Sequence, residues 1–147
     1  MTTSLITLFD RDLDRLKSEV ELIDDKNLWK ACSGVTNCAG NLTLHLCGNL
    51  KHFIGSVLGQ TGYIRERDKE FSDKNISKND LYKNIEETKR VIKATLTKVS
   101  PEDLQSIYPM PRWDQEISVE FFLIHLHSHL NYHLGQINYI RRILTYS

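Results

Sequence analysis

Two histidines four residues apart, His129 and His133, are the residues of this chain best suited to chemistry. Within a helix, residues i and i+4 lie one above the other on the same face, with Cβ atoms roughly 5–6 Å apart. Nitrogen atoms from both imidazole rings can then bind one metal ion at about 2.0–2.1 Å. The motif differs from the HExxH of zinc proteases, because Leu130 occupies the position of the catalytic glutamate. The pair therefore predicts two ligands of a metal site and argues against a metalloprotease.

The helix that carries this pair predicts which of its histidines face the core. At about 100° per residue, His129 and His133 fall within about 60° of the apolar stripe of their helix. His127 lies on the opposite side and His125 at the margin of the stripe, so neither is the natural partner of an inward pair. Gln136 shares the azimuth of His129 and is placed to hydrogen-bond a ligand or a metal-bound water.

A third ligand must come from another part of the chain. His45 and His52 are seven residues apart in the second predicted helix and share one face of it, so periodicity does not choose between them. No Asp or Glu lies near the inward face of the fourth helix. The predicted site is therefore rich in imidazole, leaves the charge of a divalent ion largely uncompensated, and favours anionic ligands.

Apolar residues that recur at intervals of three and four predict the elements that position these side chains. They predict four amphipathic helices, at about residues 3–23, 42–57, 77–99 and 118–145. A Gly/Asn/Cys-rich stretch over residues 32–40 and the segment 59–62 predict breaks. No segment has the alternation typical of strands, so we expect an all-α fold, a four-helix bundle formed by a single domain over residues 1–147. The connection over residues 59–76 is long enough to cross the bundle, which allows helices two and three to run parallel.

Composition excludes several classes of function. The 147 residues include 19 basic and 19 acidic side chains, so the net charge is zero and nothing favours nucleic-acid binding. No apolar run is long enough for a membrane span and no signal peptide is recognisable, so we expect a cytoplasmic protein without a membrane partner. Cys32, Cys38 and Cys47 match neither a redox pair nor a zinc knuckle, and we interpret them as reduced, buried thiols.

Three passages of the chain resemble the DinB/YfiT-like superfamily of bacterial metal-binding four-helix bundles. The closing passage, His129 to Ile137, matches the HxxxHxGQ pattern of its last helix. Leu42 to Asn49 is similar to its first ligand segment, and Arg65 to Phe71 is similar to a charged crossover found in one subgroup. The resemblance covers nearly the whole chain in the order and length of the helices.

The resemblance implies a fold and a ligand set. It implies that His45, rather than His52, joins His129 and His133 in binding a divalent ion such as nickel or zinc, with open positions filled by water. It also implies an up-down-down-up bundle and a homodimer. Several relatives are metal-dependent transferases or isomerases of low-molecular-weight thiols, and the family name does not imply DNA handling.

Two hypotheses of function follow from these expectations. In the first, the protein is a metal-dependent enzyme acting on a small molecule, a thiol S-transferase, in which Gln136 or Asn49 orients the nucleophile. In the second, the metal joins helices two and four in a non-catalytic binding or stress-response module. The sequence leaves open whether Arg65, Arg67 and Arg112 approach the site and bind an anion or lie in solvated loops.

Overall fold

Four long helical segments make up most of the molecule. The computed structural model describes residues 1–111 and 113–147, so Arg112 lies outside the described residues. The helices are α1 (Thr2–Leu22), α2 (Asp25–Leu28), α3 (Ala39–Leu50) continued by a π-helix (Lys51–Leu58), α4 (Arg67–Ser72), α5 (Lys78–Leu96), α6 (Pro101–Gln105) and α7 (Val119–Tyr146). Within the described residues there is no strand, and Ile107 and Ser118 form an isolated bridge. The all-α four-helix bundle is confirmed.

The four long segments pack around one cluster of buried apolar side chains. Each contributes the apolar face that the spacing of its apolar residues predicts. One fully buried leucine from each segment is an example: Leu16, Leu46, Leu81 and Leu130. Burying such side chains is the main favourable term in folding, at roughly 25 cal/mol per Å² of apolar surface. Along the described part of the chain, no helix is both long enough and apolar enough to cross a membrane.

Side-chain contacts give the relative directions of neighbouring helices. The contacts show that α1 and α5 run in opposite directions. The second long segment, which is α3 with its π-helix, runs in the same direction as α5. The helix α7 runs in the same direction as α1 and in the opposite direction to the second long segment. Asp10 contacts Lys89 and Asp25 contacts Lys78 between the first and third long segments. Lys51 contacts Glu87 and Gly55 lies against Val91 between the second and third. For α7, the contacts are Asp12 with His127 and Glu19 with Arg141 on one side, and His45 with His129 and Phe53 with Phe122 on the other.

A π-helix in the second segment differs from the regular helix that its sequence predicts. The backbone N–H of Gly59 donates to the carbonyl of Ile54 at 2.9 Å, an i to i+5 bond. Ile54, which the predicted stripe does not include, is fully buried, and its neighbour Phe53, which the stripe does include, is buried as well. Gly55 has room only for a hydrogen, because a Cβ there would lie 2.6 Å from Val91. The π-helix therefore coincides with close packing of this segment against α5.

Helix ends follow the predicted capping chemistry with two differences. The serines at three N-caps accept hydrogen bonds from backbone N–H groups, as Ser and Thr side chains do at helix starts. The bonds are Asp80 N to Ser77 Oγ at 3.1 Å, Asp103 N to Ser100 Oγ at 3.0 Å and Phe121 N to Ser118 Oγ at 3.1 Å. The third long helix, α5, ends at Leu96 and not at the predicted residue 99, because Ser100 is the N-cap of the separate short helix α6. The charged connection likewise contains a short helix, α4, which sequence periodicity does not predict.

A buried carboxylate joins α1 to α7. The side chain of Asp12 is fully buried and accepts hydrogen bonds from Nε2 of His127 at 2.8 Å and Nδ2 of Asn131 at 2.9 Å. Arg11 and Arg15 bind the same carboxylate at 2.8 and 3.2 Å. Burial raises the pKa of Asp12, but the hydrogen bonds from Arg11, Asn131 and His127 outweigh it and lower the pKa to about 2. The charged carboxylate therefore stabilises the folded state.

Replacing Asp12 with Asn should flatten the acid dependence of stability. Because the folded pKa of Asp12 lies below the unfolded value, its contribution is present above about pH 4 and is lost as the pH falls towards 2. We expect Asp12→Asn to lower the free energy of unfolding at pH 7 by about 1–2 kcal/mol, and by progressively less towards pH 2. Urea denaturation between pH 2 and 7 measures this. Asp114→Asn, at an exposed position, is the control and should parallel the unmodified protein.

Candidate metal centre

Three imidazoles from two helices meet in the middle of the bundle. His45 comes from α3, and His129 and His133 come from successive turns of α7. Nε2 of His129 lies 3.3 Å from Nε2 of His45 and 3.2 Å from Nε2 of His133. Three nitrogen ligands at about 2.0–2.1 Å from one tetrahedral ion are themselves roughly 3.3 Å apart. The triad therefore has the spacing of a metal-ligand set, and the residues fit a divalent ion.

Hydrogen bonds at the far nitrogens orient two of the three rings. Nδ1 of His45 donates to Oε1 of Glu70 at 3.0 Å, and Nδ1 of His133 donates to Oε1 of Gln136 at 2.6 Å. A proton held at Nδ1 leaves the lone pair on Nε2, which faces the other histidines. Nδ1 of His129 is buried, and no described residue hydrogen-bonds it. Gln136, which is predicted to hydrogen-bond a ligand or a metal-bound water, thus contacts His133.

Two histidines of the triad, His129 and His133, are uncharged at neutral pH. Burial, with the proximity of His133 and His45, lowers the pKa of His129 to about 4. Burial also lowers the pKa of His133. Neutral imidazole is the form that binds metal ions, whereas imidazolium has no lone pair to offer. At neutral pH these two histidines therefore need no proton removed before an ion binds.

Glu70, a residue that the sequence reasoning missed, supplies a buried carboxylate beside the triad. Arg65 binds both of its oxygens, with Nε to Oε2 and Nη2 to Oε1 each at 2.8 Å. Burial raises the pKa of Glu70, but hydrogen bonds from Arg65 and His45 outweigh it, so this pKa lies below its usual value. The Arg65 charge cancels that of Glu70, so the site as a whole remains without net negative charge. The side chain of Arg65 is only 11% exposed, so it does not lie in a solvated loop.

Two residues of α3 make room for Glu70 and hold its backbone. Gly48 lies directly against the carboxylate, and a Cβ at this position would overlap it. Nδ2 of Asn41 donates to the carbonyls of Glu70 and Asp73 at 2.9 and 2.8 Å, which fixes both ends of this turn of the connection. The predicted crossover is therefore part of the site, because it carries the group that orients His45.

A cavity of about 450 Å³ opens onto the triad. Its walls combine aromatic and aliphatic side chains with cationic and amide groups, and contain no carboxylate among the described residues. The lining consists of Asn37, His45, Asn49, Phe53, Arg65, Arg67, Phe71, Phe122, His125, Leu126, His129 and His133. Asn49 is buried, and its Oδ1 has no hydrogen-bond partner among the described residues. Arg67 is exposed, with its guanidinium 5.2 Å from the Phe71 ring.

The other predicted candidates lie outside the triad. His52 is on the π-helix and contacts the ring of Phe53, with the ring centroids 4.7 Å apart. His127 faces α1, as its azimuth predicts, and binds Asp12. His125 does not join the ligand atoms, but it lines the cavity, which the azimuth argument did not predict. Cys32, Cys38 and Cys47 are buried free thiols, as expected.

The fold and these three histidines define a class of protein, the four-helix bundles with a histidine triad suited to a metal. The chain belongs to the family described as "Protein of unknown function (DUF1572)", whose sequence profile matches residues 3–147. No curated protein matches it significantly in sequence.

Two solved structures share the fold, which confirms the structural resemblance to the DinB/YfiT-like superfamily. One is YfiT from Bacillus subtilis, described as "a probable metal-dependent hydrolase with an unusual four-helix bundle topology". It is 18% identical, with a TM-score of 0.75 over 99% of this chain and 89% of that one. The other is a DinB-like protein from Bacillus cereus, 17% identical, with a TM-score of 0.75 over 96% of this chain and 91% of that one.

Replacing Glu70 with Gln should weaken zinc binding by about 10- to 100-fold, the usual effect of removing a group that orients a ligand. The amide keeps the volume of the side chain but loses the charge that Arg65 and His45 bind. Competition with a chromophoric chelator measures the affinity. Glu66→Gln, an exposed position of the same connection that pairs with Lys69, is the matched control. Equal affinities for the two variants would contradict the role of Glu70.

Proposed function

We propose that the chain binds one divalent metal ion through His45, His129 and His133 and is a metal-dependent enzyme acting on a small molecule. One observation carries the proposal: three imidazoles stand at ligand spacing on the wall of an open cavity. Imidazole suits zinc and nickel, the two ions we expect first. Three protein ligands and access from a cavity are typical of catalytic rather than structural sites.

The reaction we propose is transfer of an electrophilic group to a low-molecular-weight thiol. The thiol loses its proton to solvent, and its sulfur forms a bond to the electrophilic carbon. The bond from that carbon to its leaving group breaks, and the leaving group departs with the electron pair. A divalent ion at a site with an open position supplies Lewis acidity, which acidifies a thiol or a water. The protein's own residues hold the reactants: Phe53, Phe71 and Phe122 offer an apolar wall, and Oδ1 of Asn49 can accept a hydrogen bond from a ligand donor. The exposed guanidinium of Arg67 suits a carboxylate on the thiol.

We prefer a thiol to water as the nucleophile because the carboxylate beside the triad is not available as a general base. A hydrolase of this kind usually has a general base within hydrogen-bond reach of the attacking water. Glu70 does not serve, because both of its oxygens bind Arg65 and one also binds His45. A thiol is acidic enough to need no such base once its pKa is lowered. Hydrolysis, the activity ascribed to YfiT, is the competing reaction.

A purely structural role for the metal is the second hypothesis, and the packing of the helices argues against it. Structural zinc supplies folding energy where a small domain lacks a sufficient core. Here α3 and α7 already contribute buried apolar side chains to one core, in which Leu46, Leu126 and Leu130 are at most 1% exposed. The bundle therefore does not depend on the ion to join these helices.

Replacing His129 with Ala should abolish stoichiometric zinc binding, because its Nε2 lies between the other two ligands. Metal analysis of untagged protein should find one ion per chain before the substitution and none after it. At a free zinc concentration of 100 times the dissociation constant, the ion should stabilise the unmodified protein by about 2.7 kcal/mol and the variant not at all. His52→Ala is the control and should keep the ion. Loss of zinc from both variants would argue against the triad.

Zinc- or nickel-loaded protein should catalyse conjugation of a chromogenic electrophile to bacillithiol, mycothiol, glutathione or coenzyme A. The metal-free protein and His129→Ala should show only the uncatalysed rate. Release of thiol conjugate, measured by absorbance, distinguishes transfer from hydrolysis of the electrophile. If none of these thiols reacts faster with loaded than with metal-free protein, transfer to them is excluded. Zinc bound at the triad without any turnover would favour the structural role.

A further inference from the structure

A row of side chains on α7 leads from the triad to a group of aromatic rings. Leu126, His125 and Phe122 precede His129 by three, four and seven residues, so they lie on the face of α7 that carries His129. All three line the cavity that opens onto the triad. At 1.5 Å per residue, Phe122 lies roughly 10 Å along the helix from His129. The row therefore follows one wall of the cavity away from the metal ligands.

The second long segment forms the opposite wall of the cavity. Asn49 follows His45 by four residues and Phe53 follows Asn49 by four, and all three line the cavity. Because this segment runs in the opposite direction to α7, its wall ends where the row on α7 ends. There the rings of Phe53 and Phe122 lie edge to face, with centroids 5.3 Å apart and an interplanar angle of 88°. The cavity thus has metal ligands at one level of the bundle and aromatic rings at another.

Phe122 is at the centre of this aromatic group. Its ring centroid lies 5.3 Å from that of Phe53, 4.3 Å from Tyr108, 5.8 Å from His125 and 6.1 Å from Trp113. Trp113 in turn meets the ring of His125 at 4.9 Å and an angle of 90°. Aromatic rings prefer edge-to-face and offset contacts, because their edges carry positive and their faces negative charge. A further aromatic ring can make the same contacts here, whereas a saturated ring cannot.

Asn49 lies between the triad and the rings. Its side chain is buried, with the residue 7% exposed, and its Oδ1 has no hydrogen-bond partner among the described residues. A buried amide oxygen costs free energy until a donor binds it. A molecule that spans the cavity is therefore held best if it has an N–H or O–H between its ring and the end that approaches the metal ligands.

We propose that the small molecule bound beside the triad carries an aromatic ring, which packs against Phe53, Phe122 and His125, and a hydrogen-bond donor, which binds Asn49. This assignment rests on the proposed function and names its substrate class: the electrophile that reacts with the thiol is an aromatic compound. Its electrophilic carbon lies between the ring and the triad. That carbon forms a bond to the thiol sulfur and releases its leaving group with the electron pair, while the thiol loses its proton to solvent. A cavity of about 450 Å³, towards the lower limit of ligand pockets, suits a single ring.

Isothermal titration calorimetry of the zinc-loaded full chain with three hydroxamates tests the ring site without turnover. A hydroxamate binds zinc through its two oxygens, and its substituent is left to fill the cavity. Benzohydroxamate should bind at least about tenfold more tightly than acetohydroxamate, because its ring is buried. It should also bind about 2- to 10-fold more tightly than cyclohexanecarbohydroxamate, because contacts between aromatic rings add to burial. Equal affinities for benzohydroxamate and acetohydroxamate overturn the ring site, and equal affinities for the two cyclic compounds overturn its selection of aromatic rings.

Phe122→Leu should remove the preference for benzohydroxamate over the cyclohexane compound and leave the affinity for acetohydroxamate unchanged. Phe9→Leu is the matched control, because Phe9 is equally buried but contacts His127 outside the cavity. It should keep the preference. Circular dichroism confirms that each variant is folded, and if Phe122→Leu does not fold, Phe53→Leu takes its place. A folded variant of the ring site that keeps the full preference contradicts the assignment.

The hydrogen bond to Asn49 is tested with the same titrations. Asn49→Leu should weaken the binding of benzohydroxamate about 2- to 10-fold, the usual contribution of one hydrogen bond. It should leave the binding of N-methylbenzohydroxamate, which has no N–H, unchanged. Equal losses for the two compounds contradict the role of Asn49.

The zinc content of each sample separates this assignment from the proposed function. If zinc is bound at the triad and the three hydroxamates bind equally, only the aromatic site is overturned. If the chain holds no zinc, the proposed function fails, and the ring site is tested on metal-free protein in EDTA by saturation-transfer NMR with benzamide and acetamide. Transfer to benzamide alone supports the ring site, and no transfer to benzamide overturns it.

Discussion

The hydrogen bond between Nδ1 of His45 and the buried carboxylate of Glu70 connects the three parts on which the site depends. It orients a ring of the bundle core, and it anchors the connection between the second and third helices. The same carboxylate is the buried partner of the Arg65 charge. Burying a carboxylate costs free energy unless it is fully paired. Glu70 is therefore stable in the core only together with His45 and Arg65. The orientation of the triad is thus set partly by a segment outside the four long helices.

Backbone space is the second constraint at this point. Gly48 lets the carboxylate lie directly against α3, and Asn41 holds the turn that carries it. Further along the same segment, Gly55 lets the π-helix approach α5. The two glycines of the second segment therefore have two different roles. In the middle of the segment, Gly48 admits a polar group from the connection, and near its end Gly55 admits the neighbouring helix.

The four long helical segments and two of the three triad residues follow from local patterns in the sequence. The pair His129 and His133 needs only helix geometry, and the serine caps need only the preference of backbone N–H groups for side-chain oxygens. The choice of His45 over His52 came from family resemblance, because both share a face. The predicted stripe omitted Ile54, which lies in the π-helix and is fully buried. Periodicity also missed Glu70, whose contact with His45 spans 25 residues and depends on how the connection folds.

Two faces of α7 bind different neighbours, and this couples distant parts of the bundle. His127 and Asn131 hold Asp12 of α1, whereas His129 and His133 face α3. The Asp12 contacts therefore fix the rotation of α7 about its own axis. A side-chain nitrogen roughly 6 Å from that axis moves by about 1 Å when the helix turns by 10°. Such a displacement would exceed the tolerance of metal coordination, about 0.2 Å. The alignment of the triad is consequently a property of α1 as well, although α1 contributes no ligand to it.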